Sequence, residues 1–214
     1  MKQKSNRASG NLLIYVVNNY SGEYHIPFTD LGTITSNPED LTGADLVVFT
    51  GGEDVTPSLY GEDPHPFSRW NLNRDLAEKE IFETALFHGI PMTGICRGSQ
   101  FLNVMNGGKL IQHLEHHPSH QHSVITEDGE LFISNTLHHQ ASIADPGNGM
   151  TVLAQSWPDN CVESFYYAAT NCLGVQWHPE MMDQATLAVQ WYKKKVRELL
   201  GLEASSDLPL AATH

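Results

Sequence analysis

The sequence predicts an α/β fold with three layers, in which a mostly parallel central sheet is flanked by helices. Three continuous apolar runs rich in β-branched residues indicate strands buried on both faces, namely Asn11–Val17, Asp45–Thr50 and Ile90–Ile95. Long connections separate these runs, as parallel strands require. We expect residues 1–202 to form a single domain and residues 203–214 to form a flexible tail, because this last stretch is small and polar.

The other elements follow in chain order. Residues Arg74–His88 have apolar side chains near helical spacing and are followed by Gly89 and Pro91, which predicts a crossover helix. A shorter helix is predicted over Gly98–Met105. Four short strands and a long helix come after it, over Leu131–Ile133, Thr151–Ala154, Val162–Ala168, Leu173–Gln176 and Gln184–Leu200. Residues 18–37 contain turn formers and a β-like run, with little helical periodicity.

The composition excludes several classes of function. A formal net charge of −13 leaves no basic patch for phosphates, which argues against a nucleic-acid partner. No apolar run is long enough to span a bilayer, and the start of the chain lacks the apolar core of a signal peptide. Three cysteines at irregular spacing fit neither a disulfide framework nor a zinc pattern. We therefore expect a cytoplasmic protein without a membrane partner, and a homo-oligomer stays open.

One cysteine has the setting of a nucleophile. The segment Gly94–Gly98, with the sequence GICRG, follows a predicted strand and begins a predicted helix. This pattern is the thiol version of the nucleophile elbow, a sharp turn that needs glycines on both sides of the exposed thiol. The helix N-terminus favours the thiolate over the thiol. A cysteine after a buried strand, without those glycines, is more often an inert core residue.

Such a nucleophile needs a base and a group that orients the base. The segment Gly174–Glu180, GVQWHPE, brings a histidine to the end of a predicted strand, with a glutamate two residues further on. An isolated histidine near a strand end is more often structural, but the elbow requires one in this place. The predicted triad is Cys96, His178 and Glu180.

Two backbone N–H groups should form the oxyanion hole. One is that of Arg97, directly after the nucleophile. The other is expected from the pair Gly51–Gly52, at the end of a neighbouring predicted strand. A glycine pair by itself also fits an ordinary turn.

With these residues, the chain resembles class I glutamine amidotransferase-like proteins, and most closely their free-standing gamma-glutamyl hydrolase branch, typified by gamma-glutamyl-gamma-aminobutyrate hydrolases. The resemblance covers roughly residues 46–180 and rests on six segments: GGEDVTPSLYGE (51–62), RDLAEKE (74–80), GIPMTGICRGSQFLNVMNGGKL (89–110), NTLHHQ (135–140), VE (162–163) and GVQWHPE (174–180). It implies a flavodoxin-like fold and hydrolysis of a gamma-glutamyl amide through a thioester on Cys96. It also implies oxyanion donors on Gly52 and Arg97, and no cofactor.

The resemblance further suggests which residues hold the gamma-glutamyl group of a small-molecule substrate. The candidates are Gln100, Asn135, His138, Gln140 and Glu163. Gln100 matches the family's glutamyl-contacting glutamine, and residues 135–140 match a strand that borders the site. Glu163 would pair with the α-ammonium, or else be a surface carboxylate. Arg74 and Asp75 match too, but an ion pair at a helix start explains them better.

A histidine-rich segment, HLEHHPSHQH, contains His113, His116, His117, His120 and His122. Its spacing fits no zinc pattern well, and a thiol hydrolase needs no metal, so we expect no metal site. We expect instead a polar, pH-sensitive loop near the mouth of the active site.

Two alternatives to a free-standing hydrolase stay open. The chain is short for the family before Leu46, where one strand and its helix would be reduced, and the amine half of the substrate is not predicted. The chain could be the glutaminase subunit of a two-component enzyme, which delivers ammonia to a separate synthetase partner. It could also be a catalytically inactive binding or regulatory module, against which the intact triad argues.

Overall fold

A nine-stranded sheet organises the chain. The computed structural model describes residues 11–19, 23–115, 117 and 120–202, so the predicted tail over 203–214 lies outside the described residues. The strands are β1 (Leu12–Val16), β2 (Gly32–Thr35), β3 (Leu46–Phe49), β4 (Met92–Ile95), β5 (Leu110–Ile111), β6 (His120–Thr126), β7 (Leu131–Thr136), β8 (Ala141–Ser142), β9 (Met150–Trp157), β10 (Val162–Tyr167) and β11 (Cys172–Val175). The α-helices are α1 (Leu72–His88), α2 (Arg97–Met105) and α3 (Leu187–Leu199).

The strand order of the sheet is β2-β1-β3-β4-β11-β10-β9-β6-β7, and β5 pairs with β8 in a separate two-stranded sheet. The first five strands of the large sheet are parallel to one another. The other four extend it through antiparallel pairs. The parallel part is the one that the continuous apolar runs predict, because its strands are covered on both faces.

Two apolar clusters cover the two faces of the sheet, and β3 contributes alternately to both. Val47 and Phe49 pack on the face covered by α1 and α2. Leu46 and Val48 pack on the opposite face, where α3 supplies Trp191. These layers confirm the predicted α/β class. None of the helices in the described part of the chain has the length and apolar character that crossing a membrane requires.

The connection between β1 and β3 contains a strand of the sheet, β2, whose position the sequence did not predict. The β-like run divides into a 3-10 turn over Ile26–Phe28 and the edge strand β2. Between β2 and β3, a 3-10 helix over Pro38–Gly43 takes the place of an α-helix, capped by the Asn37 side chain. The shortening before Leu46 therefore affects the helical layer more than the sheet.

Part of the histidine-rich segment is a strand, where we expected a loop. β6 pairs with β7 on one side and β9 on the other. Its buried residues are His122, Val124 and Thr126, which alternate with more exposed ones. This alternation is the strand signal, and the surrounding histidines obscure it.

The two elbow glycines are required by contacts with backbone atoms. A Cβ on Gly94 would clash with the backbone of Gly98, where α2 begins. A Cβ on Gly98 would clash with the carbonyl of Phe49, at the end of β3. Backbone atoms cannot move aside as a flexible side chain can, so the turn from β4 into α2 can pass β3 only with glycine at both positions.

We expect Gly98→Ala to lower the free energy of unfolding by about 2 kcal/mol, because the new methyl group overpacks a rigid contact. The matched control is Gly43→Ala, since a Cβ at Gly43 meets nothing within 4 Å. Urea unfolding followed by circular dichroism measures both variants. Equal midpoints for the two would contradict this account of the elbow.

Candidate active site

Cys96 occupies the strained turn between β4 and α2. Its backbone has φ 52° and ψ −111°, a conformation that a residue with a side chain seldom adopts. Its N–H donates to the carbonyl of Val175 over 2.8 Å, which joins the turn to β11. The cysteine is the N-cap residue of α2, so it lies at the positive end of the helix dipole.

His178 and Glu180 lie at the same end of the sheet as Cys96. β4 and β11 are parallel neighbours with Val175 beside Ile95, so the residues that follow both strands meet at one edge. The Nδ1 atom of His178 is 2.6 Å from Oε1 of Glu180. The imidazole packs on the glycine pair, where a Cβ on Gly51 would be 2.9 Å from Cε1 of His178.

The electrostatic surroundings of His178 favour its protonated form. Burial by itself lowers the pKa of His178, but the hydrogen bond and charge of Cys96, together with those of Glu180, raise it to about 10. The histidine therefore keeps its proton near neutral pH, beside the sulfur. The imidazole thus lies between a cysteine and a carboxylate, the arrangement that the predicted triad requires.

The side chain of Asn135, on β7, makes two hydrogen bonds with the backbone of His178. Its Oδ1 accepts from the His178 N–H over 2.8 Å, and its Nδ2 donates to the His178 carbonyl over 3.0 Å. Both ends of the side-chain amide are thereby engaged. This geometry gives Asn135 a positioning role, which differs from the substrate contact that the sequence predicts.

A pair of glutamines lies beside the nucleophile, and one of them is absent from the sequence prediction. The Nε2 of Gln176 is 3.7 Å from the Cys96 sulfur. Gln100 donates from Nε2 to Oε1 of Gln176 over 3.2 Å and to the Gln140 carbonyl over 3.0 Å. The signal for Gln176 is its place two residues before His178, which puts both side chains on one side of an extended strand end.

The two predicted oxyanion donors have no internal acceptor in the part of the chain that the structure describes. Within the described ranges, neither the N–H of Gly52 nor that of Arg97 donates to a backbone or side-chain acceptor. Gly52 has φ 139°, a value that favours glycine. The guanidinium of Arg74 supports this loop by donating to the Gly51 carbonyl over 2.8 Å.

Arg74 and Asp75 form ion pairs with residues beyond the start of α1. Arg74 pairs with Glu53 at 2.7 Å and with Glu78 at 2.8 Å. Asp75 instead contacts the buried guanidinium of Arg97. Both residues therefore organise the loops around the nucleophile.

The other predicted substrate residues are enclosed. The Gln140 side chain donates to the Ser68 hydroxyl over 3.2 Å, and its residue is 1% exposed. Glu163 is also 1% exposed, so it is not a surface carboxylate, and its nearest charged or ionisable partners are His122 and His138. Burial and the nearby His117 lower the pKa of His138 to about 3, which leaves its imidazole neutral. Of the five candidates, Gln100 has the most direct connection to the nucleophile.

Comparisons with known proteins identify the family of the chain. Residues 35–180 match the Peptidase C26 family. The chain is 35% identical over 202 residues to the glutamine amidotransferase-like protein YvdE of Lactococcus lactis, covering 80% of this chain and 83% of that one. It is 30% identical over 149 residues to the gamma-glutamyl-CDP-amidate hydrolase of Campylobacter jejuni, covering 68% of each.

A glutamine amidotransferase of Thermotoga maritima has the same fold, with a TM-score of 0.58, 18% identity and coverage of 87% of this chain and 84% of that one. The matched family residues include the elbow, the glycine loop and the histidine–glutamate pair. The chain therefore belongs to the Peptidase C26 family of class I glutamine amidotransferase-like proteins.

Proposed function

We propose that this protein is a cysteine hydrolase that cleaves gamma-glutamyl amide bonds through a thioester on Cys96. The observation that carries the proposal is the buried His178 imidazole, which bonds Glu180 through Nδ1 and holds its proton next to the elbow cysteine. A relative of the chain is named as a gamma-glutamyl-CDP-amidate hydrolase, which supports the same bond class.

The chemistry proceeds in two halves. The Cys96 thiolate attacks the γ-carbonyl carbon, a C–S bond forms, and the carbonyl electron pair moves to oxygen. The N–H groups of Gly52 and Arg97 stabilise that oxyanion. When it collapses, the C–N bond breaks and His178 gives its proton to the departing amine.

In the second half, water attacks the thioester while His178 accepts its proton. The C–S bond then breaks, which releases the γ-carboxyl group and restores the thiolate. Glu180 keeps the imidazole aligned for both proton transfers.

We assign the recognition of the glutamyl half to the surroundings of Gln100. Gln100 and Gln176 place two amide groups next to the sulfur, and amides can both donate to a carboxylate and accept from an ammonium. Asn135, His138 and Glu163 have other partners and support this region from behind.

Cys96→Ala should abolish amide cleavage, with kcat at least about 10³-fold lower, because no other group can form the thioester. The test measures amine and ammonia release from glutamine and a panel of gamma-glutamyl amines. Cys161→Ala is the control: burial raises the pKa of the Cys161 thiol, so this cysteine is not a nucleophile. Turnover of a gamma-glutamyl amine that persists in Cys96→Ala would refute the proposal, whereas slow glutamine hydrolysis alone would direct attention to a synthetase partner.

Asn135→Ala should lower kcat by about 10²-fold with little change in KM, because a small displacement of the imidazole disrupts proton transfer. Asn148→Ala is the control, since it also removes an asparagine hydrogen bond, the 3.0 Å bond to the Tyr167 hydroxyl, far from the triad. Steady-state kinetics separate the two parameters. A rise in KM at constant kcat would instead favour a direct substrate contact by Asn135.

The pH dependence of kcat/KM should show an alkaline limb near pH 10, where His178 loses the proton that the leaving amine needs. The Glu180 carboxylate raises the pKa of His178, so Glu180→Gln should move this limb to lower pH. Glu83→Gln, at a side chain that is 61% exposed, should leave it in place. Profiles measured from pH 6 to pH 10.5 at constant ionic strength test this; an unmoved limb in Glu180→Gln would count against His178 as the acid.

A further inference from the structure

Three histidines and a glutamate meet inside the antiparallel part of the sheet. The histidine–glutamate cluster consists of His117, His122, His138 and Glu163. His122 lies on β6 and Glu163 on β10, while His117 precedes β6 and His138 follows β7. Their side chains are 4%, 1%, 2% and 0% exposed, in that order. The mechanism proposed above uses none of them.

The distances between these side chains fit a single cation. Oε1 of Glu163 is 3.2 Å from Nε2 of His122 and 3.7 Å from Nε2 of His138. One ligand atom each from His117, His138 and Glu163 lie within 4.8 Å of one another. Bonds of about 2.0–2.1 Å in a tetrahedral zinc site separate ligand atoms by roughly 3.4 Å. The ligand atoms would have to approach one another by up to about 1.4 Å to complete the site.

The outer nitrogens of two histidines already have the partners that metal-bound histidines use. Nδ1 of His117 is 2.6 Å from Oδ2 of Asp159. Nδ1 of His138 is 2.9 Å from the backbone carbonyl of Gln140. A carboxylate or carbonyl on the outer nitrogen fixes the ring and leaves Nε2 as a lone-pair donor toward the centre.

The inner atoms of the cluster make no well-aligned hydrogen bond among the described residues, although Nε2 of His122 lies 3.2 Å from Oε1 of Glu163. They are Nε2 of His117, both ring nitrogens of His122, Nε2 of His138 and both carboxylate oxygens of Glu163. Buried polar atoms are nearly always paired, because leaving them unpaired costs free energy. A cation at the centre would satisfy the Nε2 atoms and the carboxylate together.

We propose that the histidine–glutamate cluster binds one zinc-class divalent transition-metal ion, through Nε2 of the three histidines and the Glu163 carboxylate. Three imidazoles and one carboxylate are ligands of this metal class. Since the protein supplies all four, the site is structural and does not activate water. It would tie β6 and β10 to the segment that follows β7.

The proposal revises the expectation of no metal, which rested on the linear spacing of the histidines and on the chemistry of a thiol hydrolase. His113 and His120 are not among its ligands, and His116 lies outside the described residues. Two of the four ligands, His138 and Glu163, lie far from the histidine-rich segment in the chain and are brought there by the sheet.

The test uses the full chain without a polyhistidine tag, freed of metal by chelation and desalting. Zn²⁺ is titrated in competition with a chromophoric chelator, and Co²⁺ is added separately to record its visible absorption. We expect one equivalent of Zn²⁺ per chain, an intense tetrahedral Co²⁺ spectrum and a higher Tm with Zn²⁺. No substrate is needed, so the result is independent of the proposed hydrolase activity.

His122→Ala should weaken Zn²⁺ binding by more than about 100-fold, since loss of a ligand should exceed the 10–100-fold effect of an outer partner. Asp159→Asn should weaken it by about 10-fold. His88→Ala, at an exposed residue on α1, is the matched control and should bind normally. If His122→Ala does not fold, the isosteric Glu163→Gln replaces it. Absence of stoichiometric binding, or equal binding by folded Glu163→Gln and wild type, would overturn the proposal.

Discussion

The buried ion pairs of Arg97 hold the elbow, α1 and the glycine loop in one arrangement. Arg97 is 1% exposed, and its guanidinium contacts the carboxylates of Asp75 and Glu78 on α1. Leaving a buried charge without its partner costs about 3–5 kcal/mol, so separating α1 from the elbow is strongly unfavourable. Glu78 also pairs with Arg74, which donates to Gly51. The same charges therefore fix the relative positions of the two predicted oxyanion donors.

The two parts of the sheet have different tasks around the site. The parallel part delivers Cys96 and His178 to adjacent strand ends, a location that parallel sheets offer to ligands. The antiparallel part supplies groups that hold those residues, such as Asn135 behind the histidine. The buried polar residues in this region include Gln140, whose backbone carbonyl accepts hydrogen bonds from both His138 and Gln100. Apolar packing thus supports Cys96 on one side of the site, and hydrogen-bonded polar residues support it on the other.

Local patterns predict much of this structure, and long-range contacts account for what they miss. The apolar runs of β1, β3 and β4 identify the parallel sheet, since strands covered on both faces need no polar alternation. Two short motifs, GICRG and GVQWHPE, predict the proposed triad, because its residues follow neighbouring strands. The roles of Asn135 and Glu163 could not be predicted in this way. Asn135 on β7 and Glu163 on β10 contact residues that are far away in the chain. The type of a residue also does not show by itself whether its side chain is buried.

Asn135 has a consequence for the order in which the protein matures. It lies on the edge strand β7, yet it orients a residue that follows β11, on the far side of three intervening strands. A chain whose antiparallel strands are still unpaired contains the cysteine but no aligned imidazole. Non-local pairings of this kind form late, because the chain must first close long loops. The position of His178 thus depends on the antiparallel strands as well as on the parallel strands that lie beside it.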